Sequence, residues 1–409
     1  MKTDPRRRLL LTMGLVLTGM LATGCFGSTS SPPAGVAKSK SSTPTTASSS
    51  VPATSSVTAG TPSITVGVGN ASQVVKPSAI LNPRFQPNDT LDVVPETGGA
   101  TISRGISAAD YLRAAESATG PWMVYWPTGT TSLAISSSPF PGPDESVPSQ
   151  KPVIPSSQSW DNGGGWVNSV FRLGDGSLVA FFHAEHHYGC DPSLSPPALC
   201  PHATFNGKGE FWSSGAVAYS KDHGREWSTA AQFLTAPQPQ PATASLGGDN
   251  FYRVVWDFEK DRWMAFFGCK GGMSCAAIST DPRGRPGTWY KYDEGQFDQP
   301  GLGGTATPLP GLDGVHGVIY SVQYDSGLGL WLAWGREFKS NGVFVTASYD
   351  LVNWSPPELV VGDAQAFYPV MVGKHGTNVV GSTGVLYYVT GIDVKEPVLW
   401  KRPVTINAG

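Results

Sequence analysis

One pattern recurs along residues 122–402 and limits the fold more than any other feature of the chain. An apolar run reaches a tight hairpin, a second apolar run returns, and a third leads into a Ser-x-Asp turn that ends near a Trp. The clearest copy runs from Val167 to Leu173, turns at Asp175-Gly176, returns from Leu178 to Phe182, and closes with Ala216 to Tyr219 and the turn Ser220 to Trp227. Asp-Gly between apolar runs is a strong hairpin signal because both residues tolerate positive φ. The next copy has Tyr252 to Trp256, Trp263 to Phe267 and Ala276 to Asp281, with Trp289 beyond; a third has Gly317 to Val322, Leu330 to Trp334, Val343 to Ala347 and the turn Ser348 to Trp354. A weaker copy precedes them (Trp122 to Trp126, Leu133 to Ser136), and a partial one ends the chain (Tyr368 to Val372, Leu386 to Val389, Val398 to Arg402). Units of short strands that cannot bury their own faces stack around an axis. The pattern therefore predicts an all-β chain, a β-propeller of five blades of four-stranded antiparallel sheet, with six the alternative count. Asn88 to Ala118 is less regular, and Ala108 to Ala118 fits a short helix.

The N-terminal region has a different character. Arg6-Arg7-Arg8 precede the apolar stretch Leu9 to Ala22, which is shorter than the about 20 residues a membrane span needs, so it reads as a signal h-region. Cys25 directly after Ala22-Thr23-Gly24 resembles the lipobox of bacterial lipoproteins, which implies a signal peptide over 1–24 and lipid on the Cys25 thiol. Arg6-Arg7 before Leu9-Leu10 also resembles a twin-arginine export signal, with Pro5 in place of the usual Ser or Thr. Residues 25–62, rich in Ser, Thr, Pro, Ala and Gly, read as a flexible tether, because such a stretch buries too little apolar surface to offset its ordering entropy. The propeller is expected over 63–409. The expected location is the cell membrane, lipid-anchored on the extracytoplasmic side, and the expected state is a monomer. The chain carries 28 basic and 31 acidic residues, and no basic run follows Cys25, which argues against nucleic acid as a partner. Four cysteines follow Cys25. Their clustering favours disulfides Cys190–Cys200 and Cys269–Cys275, and C-x-x-C pairs of the zinc type are absent.

Ser220-Lys221-Asp222-His223-Gly224-Arg225-Glu226-Trp227 resembles the Asp box of sialidases and related propellers. Ser348-Tyr349-Asp350-Leu351-Val352-Asn353-Trp354 resembles the corresponding turn in five-bladed glycoside hydrolases of the arabinanase and β-xylosidase group. The likeness covers scattered turns. Asp222, Asp281 and Asp350 are read as structural, the carboxylate accepting hydrogen bonds from turn amides while the Trp packs between sheets. The three arginines and Tyr–Glu pair of sialidases cannot be assembled here, nor does a Glu-Gly-Pro-like acid segment of the arabinanase type stand out, so the likeness implies a fold and not a mechanism.

In such a ring, the segments entering each blade and those leaving its second strand share the face opposite the hairpins and Asp-box turns, and in propeller enzymes that face holds the site. It gathers Asp161 and Trp166, Asp249 with Tyr252 and Arg253, His316, and Tyr368. Three residues beyond the aligned second strands lie Glu185, Lys270 and Glu337, with Arg336 beside the last. The densest group is His183-Ala184-Glu185-His186-His187-Tyr188. On an extended strand His183, Glu185 and His187 project from one side. That arrangement suits a catalytic carboxylate tuned by imidazoles, a divalent metal, or a hydrogen-bonded structural cluster.

Glycoside hydrolysis needs two carboxylates across the scissile bond. The candidates are Glu185, Asp161, Asp249 and Glu337. Candidate substrate contacts are His183, His187, Trp166, Tyr188, Tyr252, Arg253, Lys270, His316, Arg336 and Tyr368, since rings stack on sugar faces and polar groups bind hydroxyls. The leading reading is a surface-anchored carbohydrate-active propeller, a glycoside hydrolase without a required cofactor. The alternatives are a non-catalytic propeller that binds glycan or protein at the same rim, and a structural envelope protein.

Overall fold

The computed structural model describes residues 60–74, 89–128, 130–140, 154, 159–188, 204–205, 208–209, 211–243, 245–269, 272–312, 317–362, 365–391 and 398–409. All of them belong to one compact unit, Thr58–Gly409. The signal peptide, Cys25, the tether up to residue 59, Cys190, Cys200, Lys270 and His316 lie outside the described residues.

The chain folds as a five-bladed β-propeller, as the repeat predicts. The innermost strands, in blade order, are Asp92–Pro95, Gly164–Leu173, Asn250–Asp257, Gly317–Asp325 and Phe367–Val372. Each pairs antiparallel with its blade's second strand, as in Gly164↔Glu185 at one end of blade 2 and Arg172↔Leu178 at the other. The uniform four-strand count is corrected: among the described residues blade 1 has three strands, blade 3 has five because Gln296–Pro300 adds to its edge, and two-residue strands extend the four-stranded sheets of blades 2, 4 and 5. Local chemistry sets the hairpins. In blade 2, Gly176 takes φ 83° and the Asp175 carboxylate accepts from the Ser177 amide at 3.0 Å. The expected helix is present as Ala108–Glu116, capped by Ser107, whose hydroxyl accepts from the Asp110 amide.

The ring is closed by strand exchange and by packing. Ile64–Val68, the first of the described strands, pairs with the last, Val398–Ala408, in a register running from Ile64↔Ala408 to Val68↔Val404, and so becomes the outer strand of blade 5. Every gap between neighbouring blades has an apolar filling. Tyr125, Val167 and Phe182 sit between blades 1 and 2. Phe181, Phe251 and Trp263 fill the next gap, and Phe266, Tyr324 and Trp331 the one beyond. Trp334, Met371 and Tyr388 join blades 4 and 5, and Val93, Trp122 and Val370 join blade 5 back to blade 1.

The three Ser-x-Asp turns share a geometry. Asp222 accepts from the Glu226 amide at 2.9 Å, Asp281 from the Arg283 amide at 2.8 Å, and Asp350 from the Val352 and Asn353 amides at 2.9 and 2.7 Å. The indole N–H of Trp227, Trp289 and Trp354 donates in turn to the carbonyls of Gly224, Gly284 and Leu351. The Cys269–Cys275 disulfide is formed, with Cα atoms 5.8 Å apart, and staples the second and third strands of blade 3.

At the axis one buried cation ties the blades together. Arg253 of blade 3 is fully buried and donates to Asp92 of blade 1 at 2.9 Å, to the Asn168 carbonyl of blade 2, and to Asn378 Oδ1 and the Thr377 carbonyl in the segment that follows the inner strand of blade 5. Asp92 also accepts from the Val170 amide and the Thr377 hydroxyl. Removing one member of a buried pair leaves the other charge without compensation, which costs about 3–5 kcal/mol. Arg253→Met is therefore expected to lower unfolding free energy by about that amount. Adding Asp92→Asn should recover part of the loss in denaturant titrations.

Candidate functional site

The inner strands carry the same defect at the same level. In blades 2 to 5 the register slips by one residue, at Asn168, Tyr252, Tyr320 and Tyr368. A β-bulge bends its strand and re-aims the extra side chain, and here the bulged side chains converge. The Tyr252 and Tyr320 rings lie 4.8 Å apart at 72°, and Tyr320 and Tyr368 4.9 Å apart at 73°. Asn168 Nδ2 donates to Asp89, in the segment leading into blade 1, at 3.3 Å. Tyr368 is held at φ 54°, a left-handed conformation costly for an aromatic residue and concentrated at functional sites.

Beside this aromatic trio runs a chain of acid and imidazole groups. His183 Nδ1 lies 3.5 Å from Asp89 Oδ2, His183 Nε2 lies 3.4 Å from Glu185 Oε1, and Glu185 Oε2 is bonded to His187 Nε2 at 2.7 Å. The period-2 pattern of the strand thus puts His183, Glu185 and His187 on one side. The entering loop fixes the outer end: the Asn162 amide donates to the His187 carbonyl at 3.1 Å and its oxygen accepts from the His187 amide at 2.7 Å. A Cβ on Gly163 would lie 2.2 Å from the His187 ring, so only glycine fits there.

Burial alone would lower the His183 pKa, but the hydrogen bond to Asp89 and the charges of Glu185 and Asp89 outweigh it and raise the value. Burial pushes Asp89 up despite its contacts with His183. The pair therefore holds a proton to higher pH than an isolated carboxylate and imidazole would. Burial, with the nearby acidic groups, keeps the Tyr252 and Tyr368 phenols un-ionised.

Several expected positions are corrected by this geometry. A divalent ion at His183, Glu185 and His187 is overturned: no group of three His, Cys, Asp or Glu is placed to hold a metal among the described residues. The donor atoms face one another instead, with Glu185 bonded directly to His187. Arg253 is committed to the axial pair with Asp92. Asp249 is bound at 2.6 Å by the buried Lys291 ammonium, which also donates to the carbonyls of Thr235 and Gly304. Glu337 accepts from the Lys339 and Ser340 amides of its own turn. Trp166 is 1% exposed and packs its ring 5.4 Å from that of His183, so it offers no face to a sugar. Tyr188 donates to the Pro241 carbonyl, and Asp161 is buried in the loop entering blade 2.

Two expected contacts do join the trio. Tyr252 and Tyr368 belong to it, while Arg336 donates to Asn341 Oδ1 at 2.7 Å with its guanidinium 3.5 Å from the Phe367 ring centre. Asp89, Asn168 and Tyr320 were not among the expected residues. Tyr320 occupies the same repeat position as Tyr252 and Tyr368, and aligning the copies at that position would have found it. Asp89 lies just before the inner strand of blade 1, outside the repeat, and carries no such signal.

No protein-family model matches the chain, and no curated protein is similar to it. Solved structures resemble it at low identity. A protein of unknown function from Dyadobacter fermentans DSM 18053 is 12% identical with a TM-score of 0.39, over 84% of this chain and 99% of its own. The endo-1,5-alpha-L-arabinanase from Thermotoga petrophila RKU-1 is 15% identical with a TM-score of 0.39, over 78% of this chain and 72% of the enzyme. The NanB sialidase from Streptococcus pneumoniae is 9% identical with a TM-score of 0.31, over 66% of this chain. The chain spans about half (51%) of that sialidase. Likeness at this level assigns no activity.

The raised His183 pKa has a consequence for stability. The contribution of the charged ring is complete below about pH 6.5, the ordinary imidazole value, and is lost as pH rises through the raised value. Thermal midpoints of the wild type should fall across that alkaline range. In Asp89→Asn the fall should begin at lower pH, because the largest support for the charged ring is gone.

Proposed function

We propose that this protein is an extracytoplasmic carbohydrate-active propeller, a glycoside hydrolase in which Glu185 is the catalytic carboxylate. The observation that carries the reading is the meeting, at one end of the axis, of the Asp89–His183–Glu185–His187 chain with three bulged tyrosines from successive blades. Glu185 is the carboxylate of that chain that reaches solvent, its side chain 13% exposed against 1% for Asp89. It is the group able to exchange a proton with a glycosidic oxygen or a water. Tyr252 and Tyr320 are buried and Tyr368 half-buried, and the three supply un-ionised hydroxyls, which sugars use for hydrogen bonding. Asp89 lies across the His183 ring from Glu185. In this reading Asp89 acts through His183, keeping the ring charged and oriented.

A second reading rests on the burial of Asp89. If that carboxylate never meets substrate, the same cluster serves a glycan-binding propeller without turnover. Release of reducing sugar from bacterial and plant polysaccharides separates the two. For the hydrolase, Glu185→Gln should cost about 10³-fold in kcat with the fold intact. Asp89→Asn should mainly shift the alkaline limb of the pH profile, and Tyr252→Ala should raise KM. A binding module would show no turnover at all and would lose glycan affinity on Tyr252→Ala. Full activity in Glu185→Gln would refute the hydrolase reading.

We also propose that lipid on Cys25 tethers the propeller to the outer side of the membrane, on the strength of the Arg6-Arg7-Arg8, Leu9 to Ala22 and Ala22-Thr23-Gly24-Cys25 sequence. Cys25→Ser should move the protein from the membrane to the soluble fraction. Retention in the membrane fraction would exclude the anchor.

A further inference from the structure

At the hairpin end of the axis, away from Glu185, lies a small pocket, part of it open to solvent. Its location follows from the strand register. Arg172, in its wall, is paired with Leu178 at the hairpin end of blade 2, whereas Glu185 is paired with Gly164 at the other. Eight residues of extended strand separate the two ends by about 25 Å. The walls are largely apolar, drawn from Val93, Val170 and Met123 of the blades and Ala115 of the helix, and among the described lining residues none is acidic.

Two polar groups in this lining have unmet bonding capacity. His375 has both ring nitrogens buried without a hydrogen-bond partner among the described residues. Arg172 commits its terminal nitrogens to the carbonyls of Glu96 and Gly176, while its Nε is buried and unpartnered. Buried donors left without partners are costly, and native structures rarely keep them without a ligand or water to match.

We infer that this mouth of the axis is a second binding site, separate from the carbohydrate site, for a small apolar carboxylate held by Arg172 and His375. The reasoning is chemical. A guanidinium N–H and an imidazole N–H offered from an apolar, acid-free wall match an acceptor with negative charge. Burial and the neighbouring Lys374 hold His375 below the ordinary imidazole value, so its ring is neutral and keeps one N–H to donate.

Benzoate and its neutral analogue benzyl alcohol are suitable probes, titrated into the full chain while the His375 ring signals are followed by NMR. Benzoate should bind saturably, near about 1 mM or tighter, and perturb His375. Benzyl alcohol should bind at least about tenfold more weakly, since a charge-assisted hydrogen bond is lost. His375→Leu should weaken benzoate by a similar factor. Ala115→Leu, which fills the pocket from the helix and leaves the polar groups in place, should abolish binding. Far-UV circular dichroism and thermal midpoints would establish that both variants fold. Absence of saturation, equal affinity for the two probes, or unchanged benzoate binding in the two folded variants would each overturn the inference. None of these readouts depends on glycan turnover.

Discussion

The Arg253–Asp92 pair at the axis is the contact on which the rest of the ring depends. Five blades that meet only through apolar side chains could slide or repack at modest cost, because hydrophobic contact has no direction. A guanidinium with five donors in a rigid fork does have direction. Arg253 reaches an acid in blade 1, a carbonyl in blade 2 and two groups in the segment following the inner strand of blade 5. Taking these charges out of water is expensive, and an apolar replacement of the pair need not be less stable. What the pair supplies is alignment: it sets the inner strands of separate blades at one height, and the bulges above it at a common level.

Those bulges convert a repetitive scaffold into a particular site. A regular strand alternates its side chains between the two faces of its sheet, each pressed against a neighbouring blade. One inserted residue breaks that alternation and frees a side chain to turn toward the centre. In blades 3, 4 and 5 the freed residue is a tyrosine, and in blade 2 it is Asn168, which holds Asp89. The left-handed backbone at Tyr368 is part of the strain that this turn requires.

The sequence made the blades legible because turn chemistry and apolar runs are local. Asp175-Gly176, the Ser-x-Asp turns and their tryptophans mark where each strand begins and ends, and the closing disulfide of blade 3 follows from cysteine spacing. That His183, Glu185 and His187 share one side of their strand was legible for the same reason, through period-2 alternation. The pairing of each charged group was not. Arg253, Asp249 and Trp166 stand at rim positions in the linear pattern, yet each is turned inward by a partner distant in the chain: Asp92, Lys291 and His183. Asp89 has no such mark, because it stands just before the inner strand of blade 1, where no repeat supplies an alignment. The metal expectation failed on geometry, since a carboxylate bonded directly to an imidazole leaves no room for an ion between them.

The strand exchange between Ile64–Val68 and Val398–Ala408 also dictates an order of events. The earlier strand must wait for the later one, so the ring cannot close until residues 398–408 have been made. Until then blade 5 exposes an unpaired edge, and the N-terminal strand remains without a partner. Closure of the ring is therefore the final step of its assembly.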